Sequence, residues 1–86
     1  MGDTNTLDLY LMYVPNQGGW GIFDTGSCPD PGAFPNWMYK KYEIPYSRWK
    51  EVFRKLQDVQ RSLVTQEVLP SRDNQNIFPE LSSLLE

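Results

Sequence analysis

An apolar stripe at helical spacing runs through the second half of the chain and limits the folds that the chain can adopt. The stripe consists of Trp49, Val52, Phe53, Leu56, Val59 and Leu63. Polar and charged side chains fill most positions between them, which predicts one amphipathic helix over residues 47–64 with Ser47 as its N-cap. Because one helix cannot bury its own apolar side, the rest of the chain has to supply a surface for it.

Three segments before the helix have the alternation that is typical of β-strands. Residues 7–14 alternate over two faces, residues 15–19 form a turn rich in Pro, Asn and Gly, and residues 20–24 return as the second strand of a hairpin. A third strand is predicted over residues 38–44, and Pro45 ends it because proline cannot continue the hydrogen-bond ladder.

The loop between the second and third strands, residues 25–37, is unusually long for so small a domain. It contains three Pro and two Gly, and the aromatic residues Phe34 and Trp37 within it are typical of side chains that anchor a loop to its domain.

The sheet face away from the helix would carry much apolar surface, so we expect something to cover part of it. These exposed positions are Tyr10, Met12, Val14 and Phe23.

The complete pattern predicts an α+β fold: a small three-stranded antiparallel sheet covered by one amphipathic helix, with a short C-terminal helical appendage. We place a single domain in residues 1–69, in which residues 64–69 either fray from the helix or add a short strand. A polar linker follows in residues 70–77, and residues 78–86 form an amphipathic terminal segment.

Missing residue types exclude several classes of enzyme. The chain has no His and one cysteine, Cys28, so Ser–His and Cys–His nucleophile pairs, an internal disulfide and a zinc site are excluded. The acidic residues are scattered and there is no glycine-rich phosphate-binding motif. We expect no enzymatic activity, no metal and no cofactor. No sequence motif supports a ligand site at Asp24 or Asp30.

The N-terminus gives an expectation about location. It is polar and acidic, and the longest apolar stretch, residues 9–14, is too short to span a bilayer. We therefore expect a cytoplasmic protein without a membrane partner.

Aromatic residues around the loop and the third strand form the first candidate binding site. They are Trp20, Phe34, Trp37, Tyr39, Tyr42 and Tyr46. Large rings can simply build the core of a small domain. There are, however, more rings than one sheet–helix core should need, and Trp and Tyr are enriched in protein–protein contacts, so we expect some of them to face a partner.

Basic residues form the second candidate. Seven of the eight lie in segment 40–61, against three of the eleven acidic residues. Lys50, Arg54 and Arg61 fall on one side of the predicted helix. This side is either a solvated face or a basic strip that binds phosphates or an acidic protein surface.

The terminal segment, with Phe78 and Leu81, is a third candidate binding site. It docks either on its own domain or in a partner's groove.

The leading hypothesis is a non-enzymatic protein-binding module, a small inhibitor or adaptor of the phage or mobile-element type. It would occupy a surface on a larger protein of unknown identity through its aromatic residues and basic helix face. The second sheet face could also support a homodimer. The alternative is a nucleic-acid-associated protein that uses Lys40, Lys41, Lys50, Arg54 and Arg61, although the isoelectric point of about 4.8 makes nucleic acid the weaker partner.

Overall fold

Three antiparallel strands and one helix organise the chain in a computed structural model, which describes residues 5–72. The strands are β1 (Thr6–Val14), β2 (Gly19–Asp24) and β3 (Tyr39–Pro45), and the helix is α1 (Trp49–Thr65). The strand order is β2–β1–β3, so β1 lies in the centre and pairs with both neighbours. The predicted α+β class and its three-stranded sheet are confirmed.

The core lies between α1 and one face of the sheet. Its buried members are Leu9, Leu11, Trp20, Ile44, Val52, Leu56, Val59 and Leu63. The odd-numbered positions of β1 point to this face, and the buried positions of α1 recur every three or four residues, as the sequence pattern predicts. Burial of each such side chain contributes about 1.5–3 kcal/mol, so this layer supplies most of the favourable free energy of folding.

The hairpin turn depends on two glycines. Pro15–Gln17 form one turn of 3-10 helix, and the Gly18 N–H donates to the Pro15 carbonyl at 3.1 Å. Gly18 and Gly19 have φ angles of 92° and 130°, which side-chain-bearing residues rarely adopt. The glycine pair therefore decides where β2 can begin.

The start of α1 differs from the prediction. A turn of 3-10 helix at Tyr46–Arg48 precedes the helix, and Ser47 lies inside that turn. The helix begins at Trp49 with no side-chain cap, so the prediction of Ser47 as N-cap was wrong. The physical reason is that the 3-10 turn directly after Pro45 already occupies the position of a capping residue. Met38 likewise belongs to the turn before β3 rather than to the strand.

The end of α1 is a hydrogen-bonded stop. The Glu67 N–H donates to the Val64 carbonyl at 3.0 Å, and the Val68 N–H donates to the Leu63 carbonyl at 2.9 Å. This is the Schellman pattern, with Glu67 in the left-handed region at φ 54°. Residues 64–69 therefore form a helix terminus and a turn, and neither fraying nor a short strand is found there.

Parts of the predicted organisation lie outside the described residues. These are residues 1–4, the linker from residue 73 onward, and the whole terminal segment 78–86. Within residues 5–72, no helix combines the length and the apolar character that a membrane crossing requires.

Candidate interaction surface

The sheet face away from α1 carries two rows of side chains that cross the three strands. The first row is Phe23, Tyr10 and Lys41. The second row is Gly21, Met12 and Tyr39. The rings of Tyr10 and Tyr39 touch diagonally between the rows, with centroids 6.3 Å apart and planes tilted by 52°. This face therefore has an aromatic centre.

Part of this face is covered by the chain itself. Met12 is 0% exposed and Val14 is 5% exposed, although both point away from α1. The Cys28 Sγ lies 3.6 Å from the Met12 Sδ. The loop between β2 and β3, residues 25–38, thus folds over the sheet, as expected from the excess of apolar residues there. Its contact removes Met12 from any surface offered to a second copy.

Two aspartates organise the first half of this loop. The backbone N–H and the hydroxyl of Ser27 both donate to the Asp24 Oδ1 at 2.9 Å. The Gly32 N–H donates to the Asp30 Oδ1 at 3.0 Å. Hydrogen bonds from the Ser27 side chain and backbone lower the pKa of Asp24, because they stabilise its charged form. Both aspartates therefore cap turns, and this structural role explains why they occur in the loop.

The second half of the loop presents two aromatic residues. Phe34 and Trp37 are both half-buried. Trp37 lies in a turn of 3-10 helix, Asn36–Met38, which the Met38 N–H closes by donating to the Pro35 carbonyl at 2.9 Å. Because β3 starts at Tyr39, directly after this turn, Trp37 lies two residues before Tyr39 in the chain.

A charged group borders the aromatic centre. The Lys41 Nζ lies 3.7 Å from the Asp8 Oδ2 and 3.8 Å from the Glu43 Oε2. Asp8 and Glu43 are directly opposite each other in the β1–β3 register, so the lysine offsets the repulsion between them. Exposed ion pairs of this kind stabilise a fold by only about 0–1 kcal/mol. Their main effect here is to make one edge of the face polar.

Two of the aromatic residues predicted as binding residues lie on the other side of the sheet. Trp20 is 6% exposed and belongs to the core, where its ring packs edge-on against Tyr13 with centroids 5.5 Å apart. The Gln60 side-chain amide donates to the Trp20 carbonyl at 2.9 Å. Tyr42 is half-buried against the same core. Tyr46 is 53% exposed in the turn before α1.

The basic residues predicted as binding residues are exposed, but on the opposite side of the molecule from Tyr39. Lys50, Arg54 and Arg61 lie on the outer surface of α1, and Arg61 pairs with Asp58 at 3.9 Å. The aromatic residues of the sheet face and the basic residues of the helix therefore form two separate surfaces. The two sets are neighbours in sequence, and the sheet separates them in space.

Sequence reasoning did not include Tyr10 and Phe23 among the site residues, although it placed them on this face. The strand alternation carries the signal, because even-numbered positions of β1 point away from the helix stripe. The position of the Cys28 thiol against Met12 gives it a packing role. Burial raises the pKa of this thiol, and the charges of Asp24 and Asp30 add to the effect. Phe78 and Leu81 lie outside the described residues.

No protein-family model, curated protein or solved structure matches this chain. Within residues 5–72, no three side chains of the metal-binding types come together.

Proposed function

We propose that this chain is a non-enzymatic protein-binding module and that it binds a larger protein through its aromatic face. The aromatic face is defined as Phe34 and Trp37 of the loop together with Tyr10, Phe23 and Tyr39 of the sheet. The observation that carries the proposal is the organisation of loop 25–38. Its successive turns are closed by hydrogen bonds, its Cys28 packs over Met12, and it carries the half-buried rings of Phe34 and Trp37 in the segment that leads into β3. The sheet face that Cys28 contacts already has an aromatic centre.

Preordered rings favour binding for an energetic reason. Each flexible side chain that becomes immobile in an interface costs about 0.5–1.5 kcal/mol, and a loop that is already ordered reduces this cost. Trp and Tyr also combine a large apolar area with few rotatable bonds, and they are enriched among the residues that dominate binding energy. The polar edge formed by Lys41, Asp8 and Glu43 fits the polar rim that surrounds such centres.

The position of the basic helix surface bears on the choice between an inhibitor and an adaptor. Because this surface lies on the far side of the sheet from the aromatic face, a single contact patch on one partner does not cover both. A module that only blocks a target uses the aromatic face alone, whereas an adaptor brings a second, acidic partner to the helix. The phage or mobile-element origin rests on size and composition only and stays a prediction.

The test is affinity purification of the tagged full chain from its source cells, with and without nuclease. The double variant Trp37→Ala, Tyr39→Ala is compared with the control Lys50→Ala, Arg54→Ala, which changes the opposite side of the molecule. We expect one near-stoichiometric protein that survives nuclease, is lost with the aromatic variant and is kept with the control. Circular dichroism of each variant shows whether the fold is retained.

Three results would count against the proposal. The aromatic variant can retain its partner, it can unfold because its rings are structural, or recovery can depend on nucleic acid. The last result would favour the nucleic-acid alternative, for which Lys40, Lys50, Arg54 and Arg61 would be the contacts to test. Lys41 lies on the opposite face between two carboxylates, so no specific observation favours that alternative.

A further inference from the structure

An open apolar groove of about 200 Å³ lies beside the C-terminal end of α1. It is lined in part by Tyr13, Trp20, Leu63, Val64, Val68 and Leu69. Val64 is 54% exposed and Leu69 is 63% exposed, and they are two of the three large apolar residues that remain exposed in the described part of the chain. Val64 and Leu69 therefore form one local apolar patch at this groove, which a further apolar segment could cover.

The segment after α1 passes this groove on its way to the C-terminal part of the chain. The Trp20 Nε1 donates to the Val68 carbonyl at 2.6 Å, which fixes the segment after α1 against β2. The next residue, Leu69, is part of the groove lining, and the described residues end at Arg72. From Arg72 to Phe78 the chain can span about 20 Å when extended, since each residue covers at most about 3.3–3.6 Å. Because Leu69 of the groove lining lies only three residues before Arg72, this length is sufficient for the segment from Phe78 onward to reach back to the groove.

We propose that the terminal segment, residues 78–85, binds in this groove of its own chain and covers Val64 and Leu69. Its apolar residues are Phe78, Leu81, Leu84 and Leu85, a spacing that puts them on one side if the segment is helical. This inference does not depend on the proposed function, because the groove lies on the helix side of the sheet and the aromatic face lies on the other.

The tether favours an intramolecular site over an external one. A segment of eight residues is too short to be stable as an isolated helix in water, so its affinity for any single site is low. A short linker supplies an effective concentration in the millimolar range, which makes a weak contact sufficient. A second copy of the chain at micromolar concentration has no such advantage.

The experiment measures thiol labelling in the full chain. Cys28→Ser removes the native thiol, and Val64→Cys places a new one in the groove. Lys50→Cys, in the same background, provides an exposed reference on α1. We expect the thiol at position 64 to react about tenfold more slowly than the reference, at a rate that does not depend on protein concentration. Leu81→Asp should remove the protection, while Ser82→Asp, which adds the same charge next to it, should keep it.

Several outcomes would overturn the inference. Equal labelling at positions 64 and 50 would show that the groove is open, and an unchanged rate with Leu81→Asp would show that the segment is not its occupant. Protection that is lost on dilution would identify a second copy as the occupant. Protection that appears only after addition of a purified partner would make the segment a recognition element in trans. Circular dichroism of the variants checks that the domain is folded in every case.

Discussion

Met12→Ala is the perturbation that tests most directly whether loop 25–38 packs on the sheet. The Met12 side chain is fully buried on the face away from α1, with Cys28 in contact above it. Truncation of a fully buried Met to Ala costs about 2–5 kcal/mol, because apolar area is lost and a cavity is left. The total free energy of unfolding of a small domain is about 5–15 kcal/mol, so the variant should lose a large part of its stability.

Urea denaturation followed by tryptophan fluorescence and by circular dichroism measures this loss. Met12→Leu serves as the matched control and should cost less than about 1.5 kcal/mol, because it conserves volume and apolar character. If the loop did not cover this face, Met12 would be a surface residue, and its truncation would change stability by only about 0.5 kcal/mol. A loss below about 1 kcal/mol for Met12→Ala would therefore refute the packing of the loop.

Further predictions concern three single positions. Glu67→Gly should raise the free energy of unfolding by about 1 kcal/mol, since glycine relieves the positive φ angle, whereas Glu67→Ala should not; thermal melting of both variants decides this. Cys28 has a pKa raised above its ordinary 9.0, so iodoacetamide should modify it more slowly than an exposed thiol at pH 8. The free energy of unfolding should also fall as the pH rises above 9, because the unfolded thiol ionises first; a flat profile would contradict the assignment. In Gly21→Ala the new Cβ would lie 3.1 Å from two ring carbons of Phe23, so this half-buried ring has to shift by a few tenths of an ångström; any loss of unfolding free energy should shrink in a Phe23→Leu background, which thermal melting of the single and double variants measures.

The elements of this fold could be predicted because each has a strong local pattern. The apolar stripe of α1 and the alternation of β1 are both visible without tertiary information. The N-cap was missed because the choice between a capping hydroxyl and a 3-10 turn depends on how the chain leaves Pro45. The stop after α1 was missed for a similar reason, since Glu67 is not a residue that usually marks a left-handed position.

The candidate site was harder to predict, because it depends on which side of the sheet each residue faces. Trp20 and Tyr39 are both aromatic residues of strands and look equivalent in the sequence. Trp20 nevertheless pairs with Tyr13 on the sheet face that carries the helix, while Tyr39 pairs with Met12 on the opposite face. Only the register of both strand pairs separates them, and a shift by one residue would exchange the two faces. Lys41 and Lys50 were grouped by their position in the sequence, and the sheet places them on opposite sides.

Amide hydrogen exchange on the purified complex is the measurement that tests the central claim most directly. The claim is that the aromatic face contacts the partner and that the outer surface of α1 is not the primary site. The free chain and the complex are compared peptide by peptide. We predict that protection in the complex rises in residues 31–41 and stays unchanged in residues 50–61. Protection that rises only in residues 50–61 would contradict the account and assign the contact to the basic helix surface.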